Sequence, residues 1–324
     1  MNVLVTGCAG FIGMHTCVNL IKRGFYVTGI DNLNSYYSVD LKSNRLDQIN
    51  SVVEGSSGQF KFFKADLNSD IWSDLEGTKF DIIIHLAAQA GVRYSIENPQ
   101  EYINSNIHGF NRICEFTIKQ GTTRFIYASS SSVYGKDSTA PFNESSPCNS
   151  PESFYAATKK ANELMAKSYF HSEGLNSVGL RFFTVYGPWG RPDMAAMLFA
   201  DAAFNNKQIK VYNYGKQQRD FTYIDDIVQG MINLALSPKF PKGAEIFNIG
   251  NGSPVKLMEF INQIEISTSS KLEKKFVEAQ KGDVTLTYSD TSKLSSLINY
   301  SSTTPIEKGI EKFIKWYKKY YKIS

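Results

Sequence analysis

Glycine recurs at every third place in Gly7-Cys8-Ala9-Gly10-Phe11-Ile12-Gly13, directly after the apolar run Asn2-Val3-Leu4-Val5-Thr6. No other stretch narrows the choice of fold as far. The run reads as a buried parallel strand, and the residues from Phe11 to about Arg23 read as a helix. In the turn that joins them, Gly7 bends the chain and Gly10 lets a phosphate reach the backbone at the helix N-terminus. Gly13 lets helix and strand pack closely. A second strand, Tyr26-Val27-Thr28-Gly29-Ile30, ends in Asp31, at roughly the 20-residue offset where a carboxylate binds the ribose hydroxyls of a dinucleotide. The alternative is a plain β-α-β crossover whose glycines serve only packing. The expected fold class is α/β, a Rossmann-type doubly wound parallel sheet with a smaller C-terminal α/β substrate domain.

Later strands should bring further residues to the same edge of the sheet, because ligands of open parallel sheets bind at the strand C-termini. Phe60 to Asp66 reads as the third strand, placing Asp66 and Leu67 near an adenine. Phe80 to Gln89 reads as the fourth, and its small terminal residues let backbone come close to a cofactor; His85 reads as a core residue. A helix from about Pro99 to Gln120 carries Asn106, suited to hydrogen-bonding backbone near the active site; the alternative is a plain polar contact. Arg124-Phe125-Ile126-Tyr127-Ala128, the fifth strand, runs into Ser129-Ser130-Ser131-Ser132-Val133-Tyr134-Gly135. A serine run is usually a turn, but this one lies where the sheet presents its ligand. After a polar stretch from Lys136 to Glu152, a helix opens on Tyr155-Ala156-Ala157-Thr158-Lys159 and ends at Gly174. Tyr155 and Lys159 fall one turn apart on one face. A free tyrosine ionises near pH ~10, so a phenol that takes a proton near neutrality needs a fixed cation beside it. Lys159 can supply that cation; the alternative is a surface pair with the lysine stem lying over the ring.

Bulk properties bound the rest. A chain of 324 residues fits a main domain with a smaller partner. Its net charge of +4 does not imply a nucleic-acid partner. Cys8, Cys17, Cys114 and Cys148 lack metal-ligand spacing, so no metal is expected, and reduced thiols with no apolar leader point to the cytoplasm. No apolar run approaches the ~20 residues of a membrane span. Ile306 to Tyr321, basic and aromatic, reads as a closing amphipathic helix that packs on the protein.

Taken together, the glycine turn, the strand-end serines and Tyr155/Lys159 resemble the extended short-chain dehydrogenase/reductase superfamily over nearly the whole chain. Within it, Asp31 to Tyr37, Ala90 to Ser95, Tyr155 to Glu163 and Leu180 to Met194 resemble the UDP-glucuronate 4-epimerases. The resemblance implies NAD retained through turnover, a UDP-sugar substrate and a homodimer built from the Pro99 and Tyr155 helices, in nucleotide-sugar and polysaccharide metabolism. It implies Tyr155 as acid/base, Ser130 as its hydroxyl partner and Lys159 as its tuner and a ribose ligand. NAD would be bound by Gly7, Gly10, Phe11, Ile12, Gly13, Asp31, Asn32, Asp66, Leu67, Leu86, Ala87, Ala88, Gln89, Asn106, Ser129, Tyr155, Lys159 and Phe182. The substrate would meet Arg93, Ser130, Ser131, Ser132, Tyr155, Thr184, Arg191, Met194, Val211, Tyr212, Arg219 and Asp283. Residues 1–183 would form the NAD-binding domain and 184–324 the UDP-sugar domain, with about 219–250 returning to the first.

By the same resemblance Tyr155 removes the 4-hydroxyl proton while the C4 hydride passes to NAD, and hydride returned to the opposite face of the 4-keto sugar inverts C4. Arg219 would take the UDP part, since a guanidinium fork suits a pyrophosphate; the alternative is an ion pair with Asp220 or Asp225. Lys281 stands where relatives of the galactose branch have an arginine. Dehydratases and decarboxylases of the superfamily bear an acid just before Val-Tyr-Gly, where this chain has Ser131 and Ser132. The remaining readings are 4-epimerases of UDP-glucose or UDP-N-acetylglucosamine, a UDP-glucuronate decarboxylase, and a sensor that binds NAD without turnover. For glucuronate, the hydroxyls of Ser130, Ser131, Ser132 and Thr184, with Arg191 nearby, would hold the sugar carboxylate. The alternative is that Arg191 pairs with Asp193.

Overall fold

The computed structural model describes residues 1–136, 138–279 and 285–323. In chain order its elements are β1 (Asn2–Thr6), α1 (Phe11–Lys22), β2 (Tyr26–Asp31), α2 (Val39–Val53), β3 (Gln59–Lys64), α3 (Ile71–Leu75), β4 (Ile82–His85), α4 (Tyr94–Glu97), α5 (Pro99–Tyr102) and α6 (Gly109–Gln120). A π-helical turn, Ile103–His108, joins the last two. There follow β5 (Phe125–Ser130), α7 (Phe154–Glu173), β6 (Ser177–Phe182), β7 (Thr184–Tyr186), α8 (Ala195–Phe204), β8 (Ile209–Val211), β9 (Gln218–Arg219), β10 (Phe221–Tyr223) and α9 (Ile224–Leu236). The chain closes with β11 (Ala244–Ile249), β12 (Val255–Lys256), α10 (Leu257–Thr268), β13 (Lys274–Phe276), α11 (Ser292–Ile298) and α12 (Ile306–Tyr321).

The chain divides into two compact units. One comprises Met1–Asp137, Pro147–Phe182 and Val228–Phe247, the other Ser138–Ser146, Phe183–Ile227 and Asn248–Ser324. A single cut after residue 183 misses the excursion at Ser138–Ser146. Nothing local in the sequence marks that stretch; it is held by residues distant in the chain, Phe142 N donating to Tyr288 O at 2.6 Å and the Asn248 side-chain Nδ2 to Phe142 O at 2.7 Å.

The first unit is built on a seven-stranded sheet in the order β11-β6-β5-β4-β1-β2-β3, in which the pairs from β6 to β3 are all parallel. β1 and β4 are almost wholly buried, as expected of strands covered on both faces. Leu4, Ile83, Phe110, Ile113, Phe125 and Tyr127 lie together in a buried hydrophobic cluster. α7 starts where the Ser153 side chain accepts from Ala156 N and stops at Gly174, left-handed at φ 72°. The helix expected from Pro99 to Gln120 is interrupted by the π turn, and the fourth strand is shorter than expected, stopping at His85 so that Leu86 to Gln89 form its exit.

In the second unit, β7 pairs with β10, β8 with β13 and β9 with β12. Phe260 of α10 stacks on Phe221 of β10 at 4.0 Å, and α12 packs Tyr317 on Phe204 of α8 at 5.5 Å. Among the described residues no helix is long and apolar enough to cross a membrane.

Candidate active site

The glycine turn is drawn tightly over the end of β1. Gly7 sits at φ +71° and donates to Ile30 O at 2.7 Å. A Cβ on Gly7 would stand 2.6 Å from Ala87 N, and one on Gly13 would overlap Gly7 O. α1 begins with no side-chain cap and no acidic residue in its first turn. The N–H groups of its first turn and the positive end of its dipole therefore suit an anion; Phe11, Ile12 and Gly13 carry them, while the Gly10 N–H donates to Gly7 O at 2.9 Å. The residues present thus fit a dinucleotide pyrophosphate.

At the end of β2, Asp31 accepts from Ala9 N at 3.1 Å and from Leu33 N at 2.9 Å. Burial raises its carboxyl pKa against those bonds and the charges of Lys42 and Arg45. Both cations come from α2 and were not signalled by spacing. Arg45 is fully buried, donating to Ala9 O at 3.0 Å and to Tyr37 OH at 2.7 Å. Next to Asp31, Asn32 Nδ2 donates to Asp66 Oδ2 at 2.9 Å, with Leu67 buried alongside. The structure thus gathers Asp31, Asn32, Asp66 and Leu67 at the ends of β2 and β3.

Beyond β4, Leu86 N donates to Thr6 O at 3.1 Å and Ala87 N to Thr6 Oγ1 at 3.3 Å. His85 is a core residue: Nδ1 is 2.7 Å from Thr6 Oγ1, and burial, aided by the charge of Lys159, lowers its pKa to about 3. Asn106 brackets Gln89, its Oδ1 accepting from Gln89 N at 2.8 Å and its Nδ2 donating to Gln89 O at 3.0 Å. The same amide is 3.0 Å from Thr158 Oγ1, and Asn162 Nδ2 donates to Asn106 O at 2.6 Å. Asn106 is therefore committed to holding the exit of β4 against α7.

α7 carries Tyr155, Lys159 and Glu163 at four-residue steps. Lys159 is buried and donates to Ala128 O at 3.0 Å; burial lowers its pKa to about 8. Glu163 accepts from Ser129 Oγ at 2.7 Å and is gripped by both arms of Arg181, at 2.8 and 2.9 Å. The Ser129 side chain thus belongs to a buried ionic network rather than to an open edge. Glu163 closes the Tyr155 to Glu163 stretch, yet nothing local pairs it with Arg181. Their meeting depends on the register of β5 and β6, which sets Ser129 beside Arg181 and Ser130 beside Phe182. Ser130 Oγ, next in β5, accepts from Ser132 N at 3.2 Å and lies 2.9 Å from Ser132 Oγ, shaping the 3₁₀ turn Ser131–Tyr134. Tyr155 meets the ring of Tyr102 edge to face, with centroids 6.1 Å apart. Arg93 is exposed just before α4, and Ala88 precedes the bracketed Gln89.

In the second unit, Thr184 N donates to Asp220 O at 3.1 Å. Arg191 is engaged in a fork with Asp193, at 3.0 and 2.6 Å. The guanidinium meets the carboxylate two residues on, the alternative that the sequence offered. Short sequence separation made that pair the stronger competitor. Met194 caps α8, Val211 is buried at the end of β8, and Tyr212 opens the turn after it. Arg219 donates to Gln218 O at 3.0 Å and Thr285 O at 3.3 Å. Its neighbour Asp220, fully buried, accepts from Thr222, Asn251, Gly252 and Ser289, so it is spent on holding those loops. Asp283 and Lys281 lie outside the described residues.

A parallel sheet whose first turn presents bare helix N–H groups, with an acid at the second strand and a Tyr-x-x-x-Lys helix against the fifth, defines a dinucleotide-binding α/β protein. Residues 3–250 match the model of the NAD dependent epimerase/dehydratase family. The chain is 46% identical over 341 residues to Protein CapI of Staphylococcus aureus, covering 99% of this chain and 100% of that protein. It is 42% identical over 346 residues to UDP-glucuronate 4-epimerase 1 of Arabidopsis thaliana, covering 99% and 77%. Among solved structures it is similar to the UDP-glucuronic acid 4-epimerase of Bacillus cereus in complex with UDP-glucuronic acid and NAD, with a TM-score of 0.91, 33% identity, and 99% and 100% of the two chains covered. The protein belongs to the NAD dependent epimerase/dehydratase family.

Proposed function

We propose that the protein is an NAD-dependent 4-epimerase of a UDP-sugar, interconverting UDP-glucuronate and UDP-galacturonate. The carrying observation is the edge formed by β5 and α7. Ser130 and Ser132 are hydrogen-bonded at the strand end, α7 packs against that turn, and Tyr155 and Lys159 stand in its opening turns. Bound NAD would supply an acceptor for the C4 hydride and return it. Tyr155 takes the 4-hydroxyl proton and gives it back, Ser130 hydrogen-bonds the same oxygen, and the Lys159 charge favours the phenolate. Gly10 to Gly13 hold the pyrophosphate, and Asp31 holds the adenosine ribose.

Hydroxyls at Ser131 and Ser132 favour epimerisation over elimination or decarboxylation, because they offer no carboxylate base for a second proton transfer. For the sugar nucleotide we assign Arg219 to the diphosphate, Val211 and Tyr212 to the base, and Thr184 with Ser131 and Ser132 to the glucuronate carboxylate. Arg191 would join them by leaving Asp193. We also read the chain as a cytoplasmic homodimer, with all four cysteines free and buried and Leu164 of α7 59% exposed.

Incubation with UDP-glucuronate, UDP-glucose and UDP-N-acetylglucosamine, with products separated, tests the reading. UDP-galacturonate should form fastest. A decarboxylated pentose as the main product, or faster turnover of a neutral sugar, would overturn it, as would NAD binding with no turnover of any. Light scattering tests the dimer.

A further inference from the structure

Tyr102 closes α5, one residue before the π turn, and its side chain is fully buried. Its ring meets that of Tyr155 at 6.1 Å and 74°. Its hydroxyl lies 2.9 Å from Ala90 O and 2.5 Å from Gly91 O, so two carbonyls of the segment leaving β4 compete for one proton. Four residues on, Asn106 brackets Gln89 and reaches Thr158, three residues after Tyr155. A π turn closes from i to i+5, which keeps 102 and 106 near one face. That face meets 155 and 158 on α7 rung for rung, and both rungs also tie down the exit of β4.

The Tyr102 ring is itself backed by other rings. Tyr94 lies 6.2 Å from it and Tyr36 lies 4.8 Å from Tyr94. Gly91, at φ +105°, has no room for a Cβ, which would overlap Tyr36 OH. A ring packed on this side cannot turn without displacing its neighbours. Tyr155, by contrast, is half-buried in the opening turn of α7. A phenol that must meet a sugar hydroxyl loses rate when displaced by about 1 Å.

We propose that Tyr102 is a positioning residue for Tyr155. Its ring fixes the orientation of the Tyr155 phenol, and its hydroxyl fixes the Ala90–Gly91 turn that leads to Arg93. This rests on the reading of Tyr155 as the acid/base.

The test uses the NAD-bound protein and Tyr102→Phe, Tyr102→Met and Tyr155→Phe, singly and combined, each checked for bound NAD and Tm. The Tyr155 phenol is titrated from the ultraviolet difference between each protein and its Tyr155→Phe counterpart, which needs no substrate. Loss of the ring contact should move that midpoint by about half a pH unit or more in Tyr102→Met and leave it in place in Tyr102→Phe. With UDP-glucuronate, Tyr102→Met should lose about tenfold or more in kcat with KM within about twofold, whereas Tyr102→Phe should keep kcat within about threefold and raise KM. In the Tyr155→Phe background, Tyr102→Met should cost nothing further.

An unmoved midpoint in Tyr102→Met would overturn the proposal. So would equal kcat losses in the two Tyr102 variants, or an undiminished loss without the Tyr155 hydroxyl. A wild-type protein that titrates but epimerises no UDP-sugar would overturn the functional reading instead, leaving the titration to decide the place of Tyr102.

Discussion

Burial lowers the Lys159 pKa from 10.5 to about 8, so the ammonium proposed to tune Tyr155 is held against its preference for water. That fall corresponds to about 3 kcal/mol of penalty on the charged form. Between about pH 8 and 10.5 the unfolded chain binds more protons than the folded one, so stability rises with pH across this window; below about pH 8 the penalty is present in full. Lys159→Met keeps the stem and drops the charge, leaving Ala128 O without this donor. It should therefore stabilise the NAD-free protein by about 1–3 kcal/mol near neutrality, less at alkaline pH, as read by urea unfolding. The same variant should shift the pH-rate profile of epimerisation to alkaline values, and an unshifted profile would make Lys159 purely structural. Tyr155→Phe should keep NAD and lose at least about 10²-fold in rate. Asp31, held by two backbone amides, should make the protein prefer NAD to NADP, whose 2′-phosphate would face a carboxylate. Asp31→Ala should narrow the ratio of the two dissociation constants, helped by Lys42 and Arg45 beside it; an unchanged ratio would place the selectivity elsewhere.

At the scale of elements, α7 is stitched to β5 and β6 by Lys159 on Ala128, Glu163 on Ser129 and Arg181 on Glu163. Burial pushes the Glu163 pKa up, but the hydrogen bonds and charge of Arg181 outweigh it and the net shift is downward. A carboxyl lowered on folding stabilises above its ordinary pKa of 4.5, and that contribution is lost as pH falls through the folded value. Glu163→Leu would leave Arg181 buried without this carboxylate and should cost about 3–5 kcal/mol. In the second unit, α12 presses Gly309 against Tyr186, where a Cβ would overlap the phenol oxygen, and sets Trp316 and Tyr320 at 5.4 and 5.1 Å from Trp189. Trp189 sits at φ 63°, which a bulky residue adopts only when its surroundings enforce it. Gly309→Ala should therefore destabilise the fold by an overpacking cost of about 1–3 kcal/mol, read as a lower Tm, and weaken UDP binding, with NAD affinity nearly unchanged. A parallel loss of NAD affinity would show that α12 does not act on this segment alone.

At the scale of the whole molecule, a ligand that binds only the folded chain stabilises it by mass action, about 2.7 kcal/mol at a hundredfold excess over Kd. The protein should copurify with NAD(H), and its removal should lower Tm by several degrees, restored by NAD more effectively than by NADP. How far this molecule could be read beforehand depended on sequence distance. The glycine turn, Asp31, the serine end of β5, the Tyr155/Lys159 pair and α12 are legible because each is set by backbone conformation or periodicity within one or two elements. Gly7 must hold positive φ whatever surrounds it, and residues four apart on α7 share a face in any fold. Other features required strands and helices to meet across long separations. Arg181 finds Glu163 through the β5–β6 register, Arg45 reaches the Ala9 carbonyl from α2, and Asp220 gathers donors from two later loops. Asn106 and Tyr102 meet α7 through a π turn that no periodicity announced. Burial and partner choice are properties of the packed chain, and the pKa shifts of Lys159 and Glu163 follow from them. The local pattern specified which groups are present, and packing decided which remain open to a ligand and which are spent on holding the others in place.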